Sequence, residues 1–100
     1  MIVRGTTPTI RYTFKKFSVD NIVEAYLTIK QGSVKIEKDI TDGEKGDGYI
    51  EWTLTQAETL TLDDDAYMKV QCKYKLNDGK VCASRTVTGK PEEILKEDVI

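Results

Sequence analysis

Residues 66–76, AYMKVQCKYKL, alternate apolar and polar side chains without a break. Met68, Val70, Cys72, Tyr74 and Leu76 fall on one face of an extended chain, and Tyr67, Lys69, Gln71, Lys73 and Lys75 on the other. Successive side chains of a strand point to opposite faces, whereas helical spacing would carry the lysines round into the apolar side. A run of this length therefore forms a strand with one face in a core and one in water. The same grammar recurs four times. Residues 8–14 set Ile10, Tyr12 and Phe14 against Thr9, Arg11 and Thr13; residues 22–30 set Val23, Ala25, Leu27 and Ile29 against Glu24, Tyr26, Thr28 and Lys30. Residues 33–38 alternate Val34 and Ile36 with Lys35 and Glu37, and residues 49–55 alternate Ile50, Trp52 and Leu54 with Glu51, Thr53 and Thr55.

Turn residues punctuate these segments. Gln31-Gly32 is a tight turn between the second and third strands, DGEKGDG (42–48) a longer glycine-rich loop, LDDD (62–65) an acidic loop, and NDG (77–79) a second hairpin turn. Thr55 and Glu58 have the spacing of a capping box, which predicts one helical turn carrying the chain between sheets. The tail, 90–100, opens on Pro91, Glu92 and Glu93 as a helix first turn does, and an extended arm fits it equally. Short strands at this spacing with no long helical pattern predict one domain over residues 1–100, an all-β antiparallel β-sandwich of about seven strands, Ig-like in outline.

The chain has 100 residues, 15 basic and 17 acidic, giving a net charge of −2. No strong field of either sign follows, so nucleic acid is not an expected partner; Lys69, Lys73, Lys75 and Lys80 make a local basic patch. Histidine is absent, which removes the commonest general base and metal ligand together. Ser18, Ser33 and Ser84 have no such base to activate them, and no pair of carboxylates is aimed into one cleft. Neither an enzyme, a cofactor nor a small-molecule substrate is expected. Asp63, Asp64 and Asp65 lack the alternating oxygen spacing of a calcium loop, so a solvated acidic loop is the reading and no metal is expected. No apolar run approaches the roughly 20 residues of a membrane span, and the N-terminus lacks a signal peptide's apolar stretch, so no membrane contact is expected.

Two cysteines flank the NDG turn. A two-residue turn at Asp78-Gly79 places Cys72 opposite Arg85 and Cys82 opposite Lys75, on opposite faces; a register shifted by one places Cys82 opposite Tyr74. Neither pairs the thiols, so Cys72 reads as a small core residue and Cys82 as a half-exposed thiol. The register that leaves Arg85 facing inward implies a bulge or an open end of the sandwich. Trp52, Tyr12 and Tyr74 belong to the core, while Tyr26 and Tyr67 stand on outer faces as candidate interface anchors.

The order of elements resembles a known family. Arg4-Gly5-Thr6-Thr7 leads into a strand, Ile22 to Ala25 opens a strand that enters a hairpin, Leu54 to Glu58 ends a strand in Leu-Thr-x-x-Glu, and Asp78-Gly79 turns a late hairpin. This outline resembles small proteins of phages and prophages of Gram-positive bacteria, and the N-terminal Ig-like domain of phage baseplate upper proteins. The resemblance implies a non-enzymatic structural protein, tail- or baseplate-associated, that contacts other phage structural proteins or further copies of itself. It implies a place in the host bacterial cytoplasm during assembly, as either a virion component or an assembly part. The apolar tail residues Ile94, Leu95, Val99 and Ile100 are the candidate docking arm. A small binding module for carbohydrate or a host protein, using Tyr26, Tyr67 and the 42–48 loop, is the alternative.

Overall fold

Every period-two segment is a strand in the computed structural model, which describes residues 2–15 and 18–91. The strands are β1 (Thr9–Thr13), β2 (Ile22–Gln31), β3 (Val34–Asp39), β4 (Glu44–Gly46), β5 (Tyr49–Thr53), β6 (Met68–Leu76), β7 (Val81–Ala83) and β8 (Val87–Gly89). One helical turn, α1 (Gln56–Leu60), separates β5 from β6. All pairings are antiparallel. A three-stranded sheet has the order β1-β5-β4, and a five-stranded sheet has β3-β2-β6 followed by β7 and β8, which share one edge of β6. The chain changes sheet after β1, after β3 and through α1, so the sheets match the B-E-D and C′-C-F-G layers of an immunoglobulin-like sandwich.

The inward residues of both sheets meet in one core. Ile50, Trp52 and Leu54 of one layer and Leu27, Ile29 and Cys72 of the other are fully buried. Trp52 packs edge-on against Tyr12, with ring centroids 6.3 Å apart, and its indole N–H donates to the Asp39 carbonyl at 2.9 Å, so its one polar atom is satisfied inside the core. Gly43 makes room for that ring: a Cβ there would lie 2.8 Å from Trp52 Nε1. α1 begins as its sequence predicts, with Thr55 Oγ1 accepting from the Glu58 N–H and the Glu58 carboxylate accepting from the Thr55 N–H.

Several local expectations change. The strands among the described residues number eight, in line with the expected seven or so, but Glu44–Gly46 of the supposed 42–48 loop pairs with β5 and the last strand is split in two. The first hairpin turns at Gly32 and Ser33, since Gln31 pairs with Val34 and stays in the strand; Gly32 alone takes the positive φ, +56°. Val23 is exposed, not inward. A bulge between Ile22 and Glu24 sets two residues against one, and the buried place passes to Ile22. The late hairpin has a three-residue loop, 77–79, with Gly79 at φ +89°, as a turn plus glycine bulge requires. That register sets Cys82 opposite Tyr74, so both cysteines face inward, contrary to the opposite faces that a two-residue turn implies. Both thiols are free.

The inward arginine that the other register implied is avoided by a second irregularity. β7 pairs Tyr74 with Cys82, while β8 pairs Val70 with Val87, so one extra residue is accommodated between them. Ser84 holds the gap closed: its N–H donates to the Cys72 carbonyl at 2.7 Å, and its Oγ accepts from the Cys72 N–H at 2.9 Å. Gln71 Nε2 donates to the Ser84 carbonyl at 3.1 Å. A side-chain hydroxyl thus replaces one rung of the ladder. Among the described residues, no helix is long and apolar enough to cross a membrane.

Candidate interaction surfaces

Two surfaces stand out, one at an open side of the sandwich and one across the larger sheet. The open side lies between β1 and β8, each of which has a single strand partner among the described elements. Ile2, Ile10, Tyr12, Met68, Val70 and Val87 line a cleft of about 540 Å³ there, with Arg11 and Lys90 at its rim. Val87 points to the inner side opposite Val70, yet is 59% exposed, because the three-stranded sheet does not extend over it. Exposed strand edges carry unpaired backbone donors and acceptors. Here they border apolar side chains, the combination that a docking strand needs.

The second surface is the outer face of the five-stranded sheet. The register puts Lys30 directly opposite both Lys35 and Lys69, and Tyr26 opposite Lys73. Tyr26 is exposed there, beside a cleft of about 460 Å³ that also borders Glu24, Glu37, Lys75 and Val81. Tyr67 is more exposed still, at 67%, but lies elsewhere, with the Lys90 ammonium 4.8 Å from its ring centre. The structure therefore does not bring the two tyrosines into one site. Ile94, Leu95, Val99 and Ile100 lie outside the described residues.

The remaining candidates have structural duties. Cys72 is fully buried, and burial pushes its thiol up to about 12. Cys82 is half-buried beside Tyr74, whose phenol is raised chiefly by burial and further by both thiols. Burial also raises Tyr12, outweighing a hydrogen bond with Ser84 that acts the other way. The carboxylates of Asp63, Asp64 and Asp65 lie close together, but Asp63 Oδ1 already accepts from the Asp65 N–H at 2.8 Å. This loop is tied down by a residue that the alternation alone does not reveal. Gln31 is buried at the end of β2, donating to the carbonyls of Asp63 at 2.7 Å and Ala66 at 2.8 Å while accepting from the Asp63 N–H at 2.6 Å. Arg4 does the same for the end of α1 and the chain that follows it, its guanidinium donating to the carbonyls of Leu60 and Leu62.

On the outer face of the smaller sheet, Arg11 forms an ion pair with Glu51 and covers the Tyr49 ring at 3.9 Å. These groups satisfy one another and leave no open charge. No family model matches the chain, and searches of curated proteins and of solved structures returned no match.

Proposed function

We propose that this chain is a non-enzymatic structural part that works by protein–protein contact, of the phage tail or baseplate-associated kind that its order of motifs resembles. Its partners are other phage structural proteins or further copies of the chain. The observation that carries the reading is the open side. The edges of β1 and β8 flank an apolar cleft of about 540 Å³, and Val87 is left 59% exposed within it. An added strand or arm would cover Val87, Ile10 and Tyr12 and pair with the exposed backbone of either edge.

The test is Val87→Asp. The side chain is mostly in water, so the variant should fold, but a carboxylate in the cleft opposes docking. Purified particles from an induced host carrying the gene should contain stoichiometric peptides of the parent chain and none of the variant. Particles lacking the parent, from a lysate rich in it, would refute the structural role. Equal incorporation of the variant would place the contact elsewhere on the molecule.

A further inference from the structure

Across the outer face of the five-stranded sheet, three lysines stand side by side on adjacent strands: Lys35 on β3, Lys30 on β2 and Lys69 on β6. Directly opposed residues on neighbouring antiparallel strands have their Cβ atoms within about 5.5 Å, where like charges destabilise the sheet. The row is not neutralised among the described residues. Among the described residues, the only carboxylate paired with any of the three is Glu37, 3.7 Å from Lys35, with both side chains half in water. Lys73 continues the charge along β6. Together with Thr28 and Gln71, these four lysines line a cleft of about 420 Å³. The chain as a whole has a net charge of −2, so positive charge is concentrated on this face while the rest of the molecule is acidic.

We propose that this face docks an acidic protein segment, its carboxylates held by the row Lys35–Lys30–Lys69 with Lys73, and its apolar residues covering Tyr26 and Val81. The surface is separate from the open side between β1 and β8 and stands without it. The polarity along the sheet selects the partner. Lysines alone crowd one end, while the other presents Tyr26 and Val81 with Glu24 and Glu37 set among Lys73 and Lys75. A uniformly anionic polymer laid along the face would meet those two glutamates. A protein segment that is acidic at one end and apolar at the other satisfies both halves. A second copy meeting this face with its own sets lysines against lysines in either direction, since Lys73 and Lys75 stand at the Tyr26 end as well, so the partner's complementary face differs from this one.

The test uses the whole chain and a fluorescein-labelled, glutamate-rich peptide of about twelve residues with leucines at one end, read by anisotropy. The proposal expects binding that weakens about tenfold when salt is raised from roughly 0.05 to 0.5 M, and about tenfold again in Lys30→Glu. That substitution replaces two like-charge neighbours by two attractive ones, so the variant's melting temperature should equal or exceed the parent's. Loss of binding would then not reflect loss of fold. Lys80→Glu makes the same charge change at the hairpin tip, away from the row, and should leave affinity within about twofold of the parent's. Tyr26→Ser should weaken the leucine-bearing peptide and leave an all-glutamate peptide unaffected. Three results would overturn the proposal: no binding by the parent, equal losses in Lys30→Glu and Lys80→Glu, or tighter binding of inorganic polyphosphate or single-stranded DNA than of the peptide.

Discussion

Replacing Gln31 by leucine should cost this protein a large part of its stability, although it exchanges a polar core residue for an apolar one of similar size. The Gln31 amide makes two donor contacts and one acceptor contact with the backbone of Asp63 and Ala66, at 2.6 to 2.8 Å, from a side chain only 5% exposed. Losing them strands one N–H and two carbonyls against a side chain that cannot answer them. At about 1 kcal/mol for each bond, less a partial return from the added apolar surface, the cost is roughly 2–3 kcal/mol. A domain of this size has about 5–15 kcal/mol in all, so the melting temperature should fall by roughly 10–20 °C. Urea unfolding followed by Trp52 fluorescence gives the free energy directly, and hydrogen exchange at the Asp63 amide reports the local contact. A variant within about 0.5 kcal/mol of the parent, with the Asp63 amide still protected, would refute the claim that Gln31 holds this loop.

Other positions test the remaining physics. Gly43→Ala places a methyl group 2.8 Å from Trp52 Nε1 and 3.1 Å from the Glu51 carbonyl, and should destabilise by about 1–3 kcal/mol with a shift in tryptophan emission. A thiol reagent at neutral pH should titrate one cysteine, Cys82, in the folded protein and both after denaturation, because Cys72 is fully buried and its thiol is pushed up to about 12. Glu58 is pulled up by burial but pulled down further by Lys38, 2.9 Å away, and by Thr55, so its folded value lies below its unfolded one. The stability it contributes is therefore present above the unfolded value and lost as pH falls through the folded one. Glu58→Gln should flatten the acid limb of a stability–pH curve below about pH 4.5, by under about 1 kcal/mol.

The strands were legible because a half-buried sheet imposes period two on its own sequence. Met68, Val70 and Cys72 lie inward and Lys69, Gln71 and Lys73 outward, as the alternation requires. The Thr55–Glu58 capping box was legible for a similar reason: all its partners lie within four residues. Expectations failed where geometry depends on a second strand. Val23 and Ile22 are both apolar, and only pairing with β6 decides which of them a bulge turns to water. The NDG turn accommodates loops of two or three residues. The register that places Cys82 opposite Tyr74 was settled by the whole β6–β7–β8 ladder, with Ser84 filling its gap.

The surfaces divide in the same way. The alternation around Tyr26 and Tyr67 puts both on outer faces, and both are exposed. Lys30, Lys35 and Lys69 carry no local signal, since each is an ordinary outward lysine on an alternating strand. They become a row because β3, β2 and β6 pair in one particular register. The cleft between β1 and β8 likewise exists because the three-stranded sheet is too narrow to cover the five-stranded one. Local chemistry thus decided which of the longer segments are strands, roughly where they turn and which face most of their side chains take. Strand partners and register decided which surfaces those faces build, because contacts between strands distant along the chain leave no period in it.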